Sequence, residues 1–276
     1  MSGIGRRSLQ HIADRLSPRD WAVLRFLSTQ KFADTTHLRR MHFRGHATLG
    51  AATRACLRVL DRLLEHRLVA RLERRVGGVR RGSAGFIWHL DVAGERLTRP
   101  KNAPRRHVGD PSTTFLDHTL HVTDTVVTLH ELTADSDLHL STLHVETAAW
   151  RSFLTSHGTT TVLKPDLFAT LSTPEYDDHW YLEVDRGTEH LPVLLTKCRI
   201  YTAYKATGRA QTEHGVFPRV LWVMPTQRRV ERLTAAIHTD KALPNRLFTV
   251  ITPDQLTATL TPPDEPHVPE PRKEEP

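Results

Sequence analysis

Residues Thr161–Glu189 read TVLKPDLFATLSTPEYDDHWYLEVDRGTE, and the fold follows from how this stretch divides. Thr161–Leu171 and Trp180–Val184 are rich in the β-branched, aromatic and aliphatic residues of strands. The polar, proline-containing Ser172–His179 between them reads as the connection of a hairpin. Working outward, Phe115–Leu132 has helical periodicity and Leu138–Val145 alternates as a strand. Downstream, Pro192–Thr207 reads as a helix, Arg219–Met224 as a buried strand, Gln227–Ile237 as a helix and Leu247–Ile251 as a last strand. The order αβββαβαβ predicts an α/β core with mixed strand directions rather than regular βαβ units.

Two acidic positions stand out in that stretch. Asp166 follows Pro165 near the start of one strand, and Glu183-Val184-Asp185 closes the next. A hairpin brings these carboxylates to one end of the sheet, where Asp166 and Glu183 are candidate ligands for a hard cation such as Mg²⁺. Metal-bound water would then attack a phosphodiester while the cation stabilises charge at phosphorus. The pattern resembles the PD-(D/E)xK restriction-endonuclease-like superfamily, in which a lysine two residues after the acidic one supports the nucleophile. Here Asp185 occupies that place. Lys197, on the following helix, is the candidate for the missing charge, with Lys164 and Arg186 as weaker substitutes. The catalytic set read from the sequence is therefore Asp166, Glu183, Asp185 and Lys197. The bland alternative is that these strand-end carboxylates only cap or meet solvent.

The N-terminal half has a different character. Residues 1–110 hold 23 Lys/Arg against 9 Asp/Glu, a net of +14, whereas residues 111–276 hold 15 against 22, a net of −7. Arginine outnumbers lysine 31 to 7, a bias that GC-rich coding produces but that does not leave one half acidic. A domain this basic attracts polyanions and gains from counterion release on a duplex. Ser17-Pro18 is a helix start, with Ser as N-cap and Pro at the first helical position. Asp34–Phe43 is a short second helix. Thr48–Arg67 is the clearest helix, with Leu49, Ala52, Cys56, Val59, Leu60, Leu63 and Leu64 on one face and Thr53, Arg54, Arg58, Arg62 and Arg67 on the other. Two strands follow, Leu68–Val76 and Ala84–Leu90, with Arg74, Arg75, Arg80 and Arg81 near the turn between them. This is the element order of a winged helix-turn-helix. The third helix would enter a major groove with Thr53, Arg54 and Arg58, and the basic hairpin would track phosphates. A three-helix module with a hairpin also serves as a protein-protein contact, and the charge favours DNA.

His118, Lys164-Pro165-Asp166, Leu182–Glu189 (LEVDRGTE), Lys197 and Tyr201 together resemble the replication-relaxation family of actinobacterial plasmids and integrated elements. The likeness covers roughly residues 15–255 and is most specific at Glu183–Glu189. It implies a winged-helix-like part before the carboxylate block and a role in plasmid replication and DNA relaxation. The expected organisation is a winged helix over 15–98, a basic linker over 99–112, a restriction-endonuclease-like domain over 113–257 and a Pro- and charge-rich disordered tail over 258–276. The expected function is a DNA-binding accessory protein of plasmid or mobile-element replication and relaxation, with a divergent nuclease-like domain, active or inactive, and partners among replication or conjugation proteins. The enzymatic alternative is a Mg²⁺-dependent endonuclease or nickase. A third is a transcriptional regulator, a homodimer on a two-fold site.

Composition removes other classes. No apolar run is long enough to span a membrane, and residues 1–16 lack a secretory signal pattern, so a cytoplasmic protein is expected. Cys56 and Cys198 have no metal-ligand spacing and are expected as buried free thiols. His37, His42 and His46 lack a cysteine companion, which argues against structural zinc. Asp117, His118, His121 and Asp124 share helical spacing, and packing or hydrogen bonding is the expected role of His118. No glycine-rich phosphate loop and no G-x-S-x-G is present. Tyr201 and Tyr204 lack the histidine cluster that would accompany a relaxase tyrosine, and core packing or backbone contact is the expected role.

Overall fold

The computed structural model describes residues 5–72, 86–104, 111–134, 136–155 and 158–262. Helix α1 (Arg6–Ala13) precedes α2 (Pro18–Gln30), which starts where Ser17-Pro18 predicts. The Ser17 hydroxyl accepts from the Asp20 N–H, and the Asp20 carboxylate accepts in return from the Ser17 N–H, closing a capping box. The two-residue strand β1 (Ala33–Asp34) leads into α3 (Thr35–His42), capped by Asp34, and then α4 (Leu49–Glu65), capped by Thr48. Strands β2 (Val69–Leu72) and β3 (Ile87–Leu90) pair antiparallel, and β1 adds to the far edge of β3, giving a small sheet in the order β1-β3-β2. The expected basic turn with Arg74, Arg75, Arg80 and Arg81 lies outside the described residues. Helix α5 (Val92–Thr98) closes this part. A Cβ on its Gly94 would stand 2.0 Å from the Leu68 carbonyl oxygen, so only glycine lets α5 lie this close to the start of β2.

The second part opens with α6 (Thr113–Leu132), capped by Ser112, and β4 (His139–Val145). The expected strand Thr161–Leu171 is two strands in different sheets. Residues Arg151–Leu154 (β5) and Thr160–Leu163 (β6) form a separate two-stranded ribbon, while β7 (Leu167–Ser172) joins the main sheet. Lys164-Pro165-Asp166 is the break, because proline has no N–H for a ladder. Strand β8 (Asp177–Val184) returns antiparallel to β7. Then come α7 (Leu191–Ala206), α8 (Arg209–His214), β9 (Arg219–Val223), α9 (Gln227–Thr239), β10 (Phe248–Ile251) and the short α10 (Leu256–Leu260). The main sheet runs β10-β9-β8-β7-β4. Its β10-β9 and β9-β8 pairs are parallel and the other two antiparallel, so the expected mixed α+β sheet is present. Leu256 and Leu260 are buried, which carries ordered chain past the boundary expected at 257.

One apolar cluster joins both halves. It runs from Leu27, Leu38, Leu60 and Trp88 into Val122 and Val126 of α6 and on to Leu167, Leu182 and Val223 of the sheet. The opposite sheet face, with Phe168, Tyr181 and Trp222, packs against α7 and α9 through Cys198, Tyr201, Leu233 and Ile237. Both cysteines are buried and free. Polar contacts reinforce the joint between halves. The Arg40 guanidinium on α3 reaches Glu131 at 3.0 and 3.2 Å, Thr128 at 3.1 Å and also Asp124, all on α6. Lys31 pairs with Glu146, and the Thr123 hydroxyl donates to the Phe32 carbonyl at 2.9 Å.

Candidate functional site

The break before β7 places Asp166 where three elements meet. Its Oδ2 accepts from the Val184 N–H at the end of β8 (2.7 Å), and its Oδ1 takes a hydrogen bond from His118 Nε2 on α6 (3.1 Å). Its own carbonyl accepts from the Glu146 N–H at 2.8 Å. Burial alone would raise this carboxyl. The His118 hydrogen bond, the Lys197 charge and the Val184 N–H together hold it below its ordinary value. His118 is raised in turn, chiefly by that same hydrogen bond.

Glu183 lies one strand away on the α7 side and is 1% exposed. Lys197 donates to its Oε2, and the Tyr201 hydroxyl donates to its Oε1 at 2.5 Å. The two partners are one helical turn apart on α7, so a single helix face covers both oxygens. Burial pushes the Glu183 carboxyl up to about 7 against the pull of Lys197, and the Asp166 charge adds to the rise. Desolvation works against the Lys197 ammonium, but Glu183 and Asp166 hold it above its ordinary value. Tyr201 is raised well above its ordinary value by burial and by the Glu183 charge. Tyr201 is packed in the core, as the sequence predicts, and its hydroxyl also meets a carboxylate there.

Asp166, Glu183 and Lys197 line one cleft of about 390 Å³ together with Phe115, His118 and Trp222. Asp185 also borders it but is occupied differently. Its Oδ2 accepts from the Gly187 N–H at 3.0 Å and from Arg229 Nε at 2.7 Å. Arg229 further donates to the carbonyls of Gly187 (3.3 Å) and Glu189 (2.9 Å), pinning the loop after β8. Gly187 takes φ +86° there, a left-handed value suited to glycine. Of the two substitute cations, Arg186 faces Asp117 at 3.9 Å and Thr188 at 3.3 Å, and Lys164 lies over the Trp150 ring at 4.8 Å. Lys197 is thus the cation that reaches the acidic pair. Among the described residues, no group of three or more His, Cys, Asp or Glu stands close enough to hold a metal ion. His37 caps α3 with Asp34 and faces Asp124, which accounts for one of the candidate zinc histidines.

On the helical half, Arg54 and Arg58 are exposed on α4 and Thr53 is half-buried, its hydroxyl donating to the Leu49 carbonyl. Arg62 from the same face is instead committed to the buried Asp20. Leu49, expected on the apolar face, is 65% exposed, because it opens the helix before the core begins at Ala52.

The fold and cleft define a mixed α+β protein. A small basic helical module is fused through one long helix to a sheet that carries an Asp-Glu-Lys cluster at its end. This chain belongs to the replication-relaxation family, whose model matches residues 24–220. The match includes Asp166, Glu183, Asp185 and Lys197 and ends before Arg229. No curated protein and no solved structure matches the chain.

Proposed function

We propose that the chain is a DNA-binding accessory protein of plasmid or mobile-element replication and relaxation. Its helical half acts as a winged helix-turn-helix and its second half as a divergent restriction-endonuclease-like domain that grips the backbone. The observation that carries this reading is the element order α2-β1-α3-α4-β2-β3. Its sheet order is β1-β3-β2, and Arg54 and Arg58 stand exposed on α4. That arrangement supports α4 as the major-groove helix. The test is fluorescence anisotropy on a labelled linear duplex across a salt series. Arg54→Ala with Arg58→Ala should weaken binding and flatten the log K against log salt slope by about one unit for each phosphate no longer neutralised. Unchanged affinity and slope would remove α4 as the DNA surface.

A second reading, a Mg²⁺-dependent endonuclease or nickase, is favoured by one observation, the arrival of Lys197 beside Glu183 and Asp166. The donor set fits this cation, because Mg²⁺ commonly takes one or two protein carboxylates and completes its shell with water and phosphate oxygens. Asp166 and Glu183 would hold it, and when bound it would supply an activated water and a counter-charge for the phosphorus centre. Lys197 keeps a proton at Nζ beside Glu183, His118 orients Asp166, and Tyr201 fixes the far oxygen of Glu183. Supercoiled plasmid incubated with Mg²⁺, Mn²⁺ or EDTA separates the readings. Metal-dependent nicking absent from the Asp166→Ala/Glu183→Ala double variant establishes the enzyme. Retarded but uncut DNA, equal in both proteins, establishes the binder.

A further inference from the structure

The β5-β6 ribbon has two unlike faces. Its register pairs Arg151 with Leu163, Ser152 with Val162, Phe153 with Thr161 and Leu154 with Thr160. The inner face buries Phe153 and Leu163 against the α7 side of the core. The outer face carries Ser152, Leu154, Thr160 and Val162, and just beyond the paired residues Lys164 lies over the Trp150 ring. All six are exposed. Trp150 retains 39%, Val162 37% and Leu154 64% of their surface, unusual for large apolar side chains on a well-formed ribbon. Lys164 Nζ sits 4.8 Å from the Trp150 ring centroid, and Lys164 is two residues from Asp166. Arg209 braces the ribbon from α8 by donating to the Ser152 carbonyl at 2.7 Å.

We propose that the outer face of this ribbon is a binding site for unpaired DNA, with Trp150 as a base-stacking platform and Lys164 as its phosphate partner, delivering the strand to the Asp166 cleft. An indole face accepts any base, and a cation beside it meets the backbone that a stacked base brings along. Lys164 is exposed and its ammonium rests against the Trp150 ring, so a phosphate arriving beside a base on the indole would meet that charge at once. A second copy of the chain would also cover apolar surface. It would not account for a cation on the indole, nor for a face that ends two residues from the cleft carboxylate. This deepens the DNA-binding reading, on which it rests, by naming a single-stranded or melted segment as what the cleft end of the protein holds.

The test compares full-length protein and its Trp150→Ala, Trp150→Phe and Lys164→Gln variants by anisotropy on labelled oligo(dT) and on a blunt duplex. Trp150→Ala should lose about 5- to 150-fold in oligo(dT) affinity, the range of one stacked base, with duplex affinity unchanged. Trp150→Phe should keep most of the affinity, and Lys164→Gln should weaken binding and lower the salt slope by about 0.7. The inference is overturned if wild-type protein does not bind oligo(dT), or if Trp150→Ala binds it as wild type does. A change of oligomeric state in place of the affinity loss also overturns it. If Trp150→Ala fails to fold, Lys164→Gln decides by the same slope criterion. Failure of the α4 reading appears separately, as duplex affinity indifferent to Arg54 and Arg58.

Discussion

Replacing Lys197 by methionine removes the cation from a carboxylate that is almost wholly buried. Glu183 is 1% exposed and would keep only the Tyr201 hydroxyl as a donor. In the intact protein burial already raises its carboxyl from 4.5 to about 7. An acid whose folded value exceeds its unfolded value makes the folded state the stronger proton binder. The cost of ionising it therefore accumulates as pH rises from 4.5 to about 7 and is constant above that. At about 1.4 kcal/mol per pH unit, that cost totals about 3 kcal/mol. Without the ammonium the folded value moves higher still, so the cost keeps growing at about 1.4 kcal/mol per pH unit beyond the point where the wild-type cost levels off. Urea unfolding of wild type and Lys197→Met should therefore give stabilities that diverge as pH rises above about 7, at about 1.4 kcal/mol per unit until the variant's carboxyl ionises. Adding Glu183→Gln should abolish the divergence. Parallel curves for the two proteins, or divergence that survives Glu183→Gln, would refute the account of a buried carboxylate held ionised by Lys197.

Arg40→Ala should unfasten α3 from α6, leaving Asp124 and Glu131 without the shared guanidinium. With the Arg40 side chain 23% exposed, a loss of about 2 kcal/mol is expected, between surface and fully buried pairs, read as a lower urea midpoint. Gly94→Ala places a methyl 2.0 Å from the Leu68 carbonyl oxygen and should cost about 1–3 kcal/mol or more, as overpacking against backbone does. Gly50→Ala is its counterpart. In the first turn of α4 the new methyl meets only the flexible end of Arg54 at 3.3 Å, so thermal unfolding should show a gain of about 0.5–1 kcal/mol.

Periodicity serves where an element buries one face of regular sequence. Ser17-Pro18, Asp34 and Thr48 cap helices because their side-chain oxygens are the local solution for open N–H groups, and that is a property of adjacent residues. The same periodicity runs Thr161–Leu171 together as one strand, because both halves are apolar and the break is a change of sheet, which alternation does not encode. Strand β5 is invisible in the sequence for a related reason. Four residues with Arg151 and Ser152 beside Phe153 and Leu154 carry too little pattern until β6 is there to pair with. At the cleft, the acidic residues and Lys197 are visible in sequence, but their partners are not. Arg229 reaches Asp185 across 44 residues, and Tyr201 faces a carboxylate because β8 lies beneath α7. Such pairings are decided by tertiary packing.

The joint between the halves ties the basic helical module to the cleft. Lys31, at the end of α2, has φ 66°, and its partner Glu146 has φ 48°. Left-handed backbone costs a non-glycine residue about 1–3 kcal/mol and persists only where the surrounding structure over-determines it. Here two such residues meet in one ion pair, and the Glu146 N–H then bonds to the carbonyl of Asp166. A second route runs from Arg40 through Asp124 and Glu131 on α6 to His118 on the same helix, and from its ring to the Asp166 carboxylate. Both routes end on the residue that bridges α6, β7 and β8. Because α4 packs on α3 and α3 packs on α6, DNA seated against α4 would, on the proposed reading, bear through α3 on the helix that carries His118. If both proposals hold, strand placement at the cleft would depend on where the duplex is gripped, through the contacts of α3 with α6.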